Sequence, residues 1–368
     1  MNRAIWFFKV GSFSHINDHV RAILDREFPQ HSVRVIDVAS DILRGRPLTT
    51  ARCLADALRI YPREIFGQRR KPTDFLLRTP TAFRAIRQWA RENVRADKVA
   101  FTFQTQSLCD ASSPSVPHFV YTDQTCLANR RYPVAVNPEL LDPRWLAVER
   151  TVYESARVTF TTSTFALRSL AEDYGVEESR ASCVLSGANV EIEAPSAKAF
   201  GGLILFVGVD WKRKGGPDLV QAFEQVLVAH PSARLRIIGC TPQVHHPRIE
   251  LLGRVPLAET SRHFREADLF CLPSYHEPSA SVLVEAASHG LPIVSTRVGG
   301  TPDRCLHGET GLLVEAGDVP ALAAALGTLL SDPARCRTMG EAGRLIARDR
   351  FSWEIVGRKI AAKIRETL

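Results

Sequence analysis

Two carboxylates, Glu277 and Glu285, stand eight residues apart in the stretch EPSASVLVEAASHGLPIVSTRVGGTPD. Between and beyond them, Ser281–His289 is apolar on a helical period and is stopped by Gly290. Glu277 therefore precedes a helix, and Glu285 falls about a turn inside it. An ionised carboxylate accepts several hydrogen bonds, which suits sugar hydroxyls. The free N–H groups of a helix start suit a phosphate. Together they describe a pocket for a nucleotide sugar. Upstream, the run VGVDWKRKGG ends a strand at Gly208, groups Lys212, Arg213 and Lys214, and opens a helix at Gly215-Gly216. Cations in that place would neutralise a diphosphate as the sugar–phosphate bond breaks. No G-x-G-x-x-G follows any strand, so a dinucleotide fingerprint is absent.

The E-x7-E spacing, the GLPIVSTRVGGTPD continuation, GETGLLVEAGD, the upstream LILFVGVDWKRKGGPDLVQAF and the downstream FSWEIVG resemble the donor-binding domain of glycosyltransferase family 4. The resemblance runs from Leu203 to the last residue and is looser in the first half. It implies a retaining enzyme of the GT-B fold, with Glu285 on the ribose hydroxyls, Glu277 on the sugar hydroxyls and Lys214 on the diphosphate. Where the family has an arginine just after the strand glycine this chain has Val209, so Arg213 or Lys212 would supply the charge. The family's Gly-Phe-Gly is Pro278-Ser279-Ala280 here. Pro278 has no N–H, which leaves Ser279, Ala280 and Ser281 to offer amides. Gly253-Arg254-Val255 lies where the family places the base. Gly11-Ser12-Phe13-Ser14-His15 is either a loop that closes on the donor phosphates or a plain strand-to-helix turn. The family's acceptor-side His-Asp pair aligns with Asp123-Gln124, without the histidine. Asp123 is then the polar group facing the reacting carbon, or else an aspartate capping the next turn. His118 would sit at the opposite end of that strand. Gln104-Thr105-Gln106 would either bind the acceptor or form a solvated turn.

These residues need strands to carry them. Residues 4–10 and 33–38 read as strands around a helix at 16–28, a βαβ opening. Residues 44–95 read as helical and basic, and strands follow at 99–103, 119–122 and 158–161. The pattern breaks around 193–202, with Pro195 inside, which marks a linker. The second half then alternates: strands at 203–209, 233–239, 249–252, 268–272 and 292–295, with helices at 216–229, 257–267, 281–289 and 319–331. Such alternation indicates doubly wound parallel sheets. The expected architecture is α/β, GT-B, with two Rossmann-like doubly wound domains facing across a cleft. Residues 1–194 would bind the acceptor and 195–352 the nucleotide-sugar donor. Residues 353–368 would form a helix crossing back to the first domain.

Composition sets outer limits. A 368-residue chain with 45% hydrophobic and 24% charged residues is an ordinary globular protein of two domains. The eight cysteines form no metal or C-x-x-C pattern, which favours free thiols in a reducing cytoplasm and no metal site. The first strand's apolar run is too short for a signal segment, and no run approaches the roughly 20 residues of a bilayer span. Between Arg44 and Lys98 there are 14 Lys/Arg against 5 Asp/Glu, a balance of +9 in a chain of net charge +7. Arg84, Arg87, Arg91 and Arg95 repeat there at helical spacing. They form either a solvated face or a contact to an anionic membrane surface or lipid-linked acceptor, which would make the protein peripheral on the inner membrane face. No aromatic stacking set accompanies them, so nucleic acid is disfavoured. The function expected is transfer of a sugar from a nucleoside-diphosphate sugar to a hydroxyl of a glycan, lipid-linked or small-molecule acceptor, with no cofactor. The alternatives are a non-catalytic nucleotide-sugar or glycan-binding subunit and another GT-B chemistry such as a phosphorylase or epimerase.

Overall fold

The computed structural model describes residues 3–134, 141–189 and 198–368, and the chain falls into two compact units. The boundary expected at 194/195, with Pro195, lies outside the described residues. Among the described residues, unit 1 comprises 3–131, 141–185 and 356–368, and unit 2 comprises 132–134, 186–189 and 198–355.

Unit 1 carries β1 (Ala4–Lys9), α1 (Ile16–Glu27), β2 (Val33–Asp37), α2 (Pro47–Ile60), α3 (Pro80–Asn93), β3 (Val99–Thr105), β4 (His118–Thr122), α4 (Pro143–Ser155), β5 (Val158–Thr161), α5 (Thr164–Tyr174) and β6 (Ala181–Cys183). Its sheet is parallel throughout, in the order β2-β1-β3-β4-β5-β6. Helices cover both faces of such a sheet, which is why β3, β4 and β5 are buried along their whole length. Thr105 is in register with Tyr121, so β3 and β4 end together.

Unit 2 carries β7 (Leu203–Val207), α6 (Gly216–Ala229), β8 (Arg234–Ile238), β9 (Ile249–Gly253), α7 (Leu257–Glu266), β10 (Leu269–Leu272), α8 (Ser281–Ser288), β11 (Ile293–Thr296), β12 (Gly311–Val314), α9 (Val319–Leu330) and α10 (Pro333–Arg350). Its sheet is also parallel, in the order β12-β11-β10-β7-β8-β9. The last helix, α11 (Trp353–Thr367), belongs to unit 1 from Val356 onward; it buries Val356, Ile360 and Ile364, and Arg365 donates to the Glu27 carbonyl at 2.5 Å.

In each sheet the winding direction reverses once, between β1 and β3 in unit 1 and between β7 and β10 in unit 2. A parallel sheet leaves a crevice at the carboxyl ends of the strands on either side of such a reversal. The chemistry-bearing loops after β7 and β10 leave from there.

Two expectations change in detail. Arg95 lies beyond the end of α3, and Arg87 is not on its solvated side. Arg87 lies 3.4 Å from Asp110, which is 1% exposed, and donates to Ser155 at 3.1 Å. The stripe on α3 thus reduces to Arg84 and Arg91. Helix α10 buries Cys336, Met339, Gly340, Gly343 and Ala347 at helical spacing, but these are mostly small residues, so its apolar stripe is weak in the sequence.

Candidate donor-side active site

The loop after β7 and the loop after β10 meet at one pair of charges. Lys214 and Glu277 are 9% and 7% exposed, and the ammonium contacts the carboxylate directly. Burial alone would raise the Glu277 pKa. The Lys214 charge and hydrogen bond, with the Arg213 charge adding to them, outweigh burial and hold it below the usual carboxylate range. Arg213 lies 4.0 Å from the same carboxylate and donates to the His276 carbonyl at 2.7 Å. The Ser274 hydroxyl donates to Glu277 at 3.3 Å. His276 is pushed down to about 4 by burial and by the neighbouring Arg213, so it is a neutral ring, packed 4.0 Å from Tyr132.

Backbone geometry fixes this meeting. Gly215 caps α6 with φ +70, and a Cβ there would lie 1.9 Å from the Pro273 carbonyl oxygen. Only glycine permits that approach in that conformation. Tyr275 N–H then donates to the Arg213 carbonyl at 2.9 Å, and Gly300 N–H to the Glu277 carbonyl at 2.9 Å. The second contact ties the Gly-Gly turn after β11 into the same group.

Helix α8 starts beside this pair. Ala280 is its N-cap in a left-handed conformation, and no side chain caps the helix. Leu283 N–H donates to the Ala280 carbonyl at 3.0 Å, so the amides of this start that suit an anion are those before Leu283. Ser279 and Ser281 are half-buried and their hydroxyls lie 3.4 Å apart. Glu285, one turn in, is 8% exposed. Burial raises its pKa to about 7, against the lowering influence of an Asn189 hydrogen bond and the Lys214 charge. Lys214, Arg213, Glu277, Glu285 and the Ser279–Ser281 turn are thus brought together. Val209 is 63% exposed on the loop after β7. Gly253-Arg254-Val255 follows β9, at the sheet edge two strands from β7.

Sequence reasoning did not find Arg304. It is 2% exposed and donates to the carbonyls of Ser279 at 3.1 Å and Ser186 at 3.2 Å, and to the Ser186 hydroxyl at 2.9 Å. Its guanidinium lies 4.6 Å from the centre of the Phe351 ring. A buried fork of donors on one side of the Ser279 peptide fixes the turn that begins α8. The signal available was a single arginine after GGTPD, which nothing in the pattern distinguishes.

In unit 1 the candidates sit at the carboxyl ends of β1 and β4. Gly11 has φ +57, and its carbonyl accepts from Asn17 Nδ2 at 2.8 Å. Asn17, 3% exposed, accepts in turn from the Thr105 hydroxyl at 2.6 Å. Asp123 follows β4 directly and is half-buried, and Gln124 donates to Asn129 at 2.7 Å. His118 opens β4 at its other end. Its Nδ1 lies 2.7 Å from the Thr102 hydroxyl and its Nε2 3.1 Å from Gln104 Oε1, and burial pushes it down to about 4. It is a neutral core histidine. The loop carrying Asp123 is anchored by Glu149, a fully buried carboxylate that accepts from the Cys126 N–H, Ser107, Tyr153 and Tyr174. Sequence reasoning missed this node as well, because a glutamate inside an amphipathic helix reads as surface.

Among the described residues, no group of three His, Cys, Asp or Glu is placed to hold a metal ion, and no helix is long and apolar enough to cross a membrane. Residues 201–332 match the family described as Glycosyl transferases group 1. The chain is 29% identical over 250 residues to a D-inositol 3-phosphate glycosyltransferase of Corynebacterium glutamicum, covering 60% of each chain. It is 32% identical over 167 residues to a GDP-mannose-dependent alpha-(1-6)-phosphatidylinositol monomannoside mannosyltransferase of Mycolicibacterium smegmatis, covering 40% of this chain and 44% of that one. The matched region thus spans about three fifths or less of these curated relatives. Among solved structures, sucrose-phosphate synthase from Thermosynechococcus elongatus superposes with a TM-score of 0.71 at 21% identity, over 99% of this chain and 98% of that one. Anabaena HepE in complex with UDP gives 0.67 at 15% identity, over 99% and 100%. Residues 201–332 in the second unit thus match group 1 glycosyl transferases, and the two parallel six-stranded sheets give the chain the α/β GT-B fold of these solved structures.

Proposed function

We propose that this protein is a retaining glycosyltransferase that moves a sugar from a nucleoside-diphosphate sugar to an acceptor hydroxyl. The observation that carries the reading is the buried Lys214–Glu277 pair, set between Arg213 and the uncapped start of α8 at the β7/β10 reversal. Two cations and a helix start favour the negative charge that a departing diphosphate accumulates. Glu277, held ionised, accepts from donor-sugar hydroxyls. Glu285 accepts from the ribose, and its ionised form is the stronger acceptor. The Ser279, Ala280 and Ser281 backbone supplies neutral N–H donors on the same side. In unit 1, Asp123 and the loop at Gly11 serve the acceptor and the donor phosphates. The acceptor class is suggested by relatives named for D-inositol 3-phosphate and phosphatidylinositol monomannoside, both hydroxyl-rich and anionic. The +9 balance of residues 44–98 suits such an acceptor, and a lipid-linked one would be met at an anionic membrane surface on the cytoplasmic side.

The test is release of nucleoside diphosphate from a panel of donor sugars, with and without inositol phosphate and phosphoinositide acceptors. Acceptor-stimulated release with one donor is the expected result. No release, together with no calorimetric binding of any nucleoside diphosphate, would remove the reading.

A further inference from the structure

Helix α2 has two apolar faces, and unit 1 covers one of them. Cys53, Ala57 and Ile60 point inward, and the last two join Tyr61, Ile65 and Phe75 in a small core of their own. On the outer side Leu48 is 77% exposed and Leu58 40%, with the exposed Ala51 and Ala55 between them. Successive gaps of three, four and three residues make that a single outward row. The chain continues through Pro62 into a short turn, Arg63–Gly67, where Phe66 is 72% exposed. Exposed Arg52, Arg59 and Arg63 flank the row. From Arg44 to Lys71 there are 8 Lys/Arg and 2 Asp/Glu, a balance of +6. One of the two acids, Asp56, accepts a hydrogen bond from the Thr81 hydroxyl.

We infer that this outer face of α2, with Phe66 at its end, docks on the anionic surface of a lipid bilayer. Apolar side chains in a row with arginines beside them let the former enter the acyl boundary while the latter meet headgroup phosphates. The same charge argues against a second copy of this chain as the occupant, since two +6 faces would repel. The face differs from the α3 stripe, which exposes only Arg84 and Arg91 and turns Arg87 to Asp110. The inference deepens the proposal of a membrane-borne acceptor and rests on that reading for its purpose. The docking itself requires no turnover, so the two fail separately.

Co-sedimentation of the full chain with vesicles of phosphatidylcholine, with and without phosphatidylglycerol, tests it. Binding is expected only with the anionic lipid and should fall as salt rises. Arg52→Gln, Arg59→Gln and Arg63→Gln together should weaken it on the order of 100-fold. Leu48→Ser with Phe66→Ser should weaken it by about tenfold or more. Arg84→Gln with Arg91→Gln should change it by less than about threefold. Unchanged calorimetric nucleotide binding in unit 2 and unchanged circular dichroism show that each variant is folded. The inference is overturned if the parent stays in the supernatant at low salt, or if either α2 variant pellets as well as the parent. It is equally overturned if the α3 pair loses binding as the α2 set does, or if sedimentation velocity shows a dimer that Leu48→Ser with Phe66→Ser dissolves.

Discussion

The carboxyl ends of the two sheets differ in kind. In unit 2 the strand ends carry charge out of water: Lys214 and Glu277 in contact, Arg213 beside them, and Glu285 buried and raised to about 7. In unit 1 the corresponding ends keep their charge nearer water: a Lys9–Asp37 ion pair with side chains 28% and 25% exposed ends β1 and β2, and neutral Asn17–Thr105 and Gln124–Asn129 bonds stand at Gly11 and beside the half-buried Asp123, over the anchored carboxylate of Glu149. A nucleoside diphosphate presents fixed charge in a fixed shape, so a site for it needs cations and acids at set places. An acceptor of the proposed kind meets the reacting centre through a neutral hydroxyl, with its phosphate elsewhere on the molecule, so the groups around that hydroxyl can be neutral and can grip it in many ways. Changes in unit 2 should therefore appear in turnover and nucleotide affinity, and changes in unit 1 in acceptor KM and stability.

The largest effect expected is at Lys214. Lys214→Ala should lower kcat on the order of 100- to 1,000-fold through lost stabilisation of the leaving diphosphate. It also strands a buried carboxylate, at a cost of roughly 3–5 kcal/mol in stability. Lys214→Met combined with Glu277→Gln separates the two effects: denaturant unfolding should recover most of the stability, while turnover stays lost. A double variant that recovers turnover would show the pair to be structural only.

Glu285 comes next. Its folded pKa, about 7, lies above the ordinary value of 4.5, so folding favours its protonated form. The stability this gives is fully present below pH 4.5 and is lost as pH rises through about 7. Ribose hydroxyls prefer the ionised form. Nucleotide affinity should thus fall by up to about tenfold per pH unit below 7, and level off above it. Glu285→Gln should weaken nucleotide binding roughly 30-fold at pH 8 while raising the unfolding midpoint there by removing the cost of a buried charge. Affinity that is flat between pH 6 and 8, measured calorimetrically, would separate Glu285 from the ribose.

The unequal legibility of the two sites follows from the same physics. Most strands and helices of unit 2 stand in the sequence nearly as they fold, because apolar strands alternate with periodic helices, while β12 and α10 are not among the elements read from it. Glu277, Glu285 and Lys214 are readable because their spacing is tied to a strand end and a helix start. Arg304 and Glu149 are not readable. Each is a buried charged residue whose partners are carbonyls, hydroxyls or one amide, all distant in the chain except Tyr153, four residues after Glu149, and that single local spacing does not report the rest. The α3 stripe was legible as a pattern, yet its pairing with Asp110 was not, and that pairing removes Arg87 from the solvated face.

For unit 1, Glu149→Gln tests the other half of the contrast. Glutamine brings a donor against the Cys126 N–H and the tyrosine hydroxyls that now donate to the carboxylate. One clash of donors among buried groups costs about 1–3 kcal/mol. The unfolding midpoint should fall, and acceptor KM should rise by about three- to tenfold as the Asp123 loop shifts, while nucleotide affinity is unchanged. A variant with parental acceptor KM would leave Glu149 as an ordinary core anchor.

The smallest effect is expected at Gly11. Its φ of +57 disfavours any side chain, but a Cβ there would meet nothing within 4 Å. Gly11→Ala should therefore cost only the backbone preference, about 1 kcal/mol, seen as a small drop in denaturation midpoint. The loop stays tied through Asn17 to Thr105, so its path should hold, and donor KM should rise no more than about fivefold with kcat nearly unchanged. A loss of tenfold or more in kcat would mean that this turn closes on the diphosphate during the reaction. In that case unit 1 would share the charge-handling work that the contrast assigns to unit 2. The companion variant Asn17→Ala cuts the tether without adding a Cβ at position 11, and it should raise donor KM more than Gly11→Ala does. The reverse order would show that the conformation of Gly11, rather than its tether, sets the position of the loop.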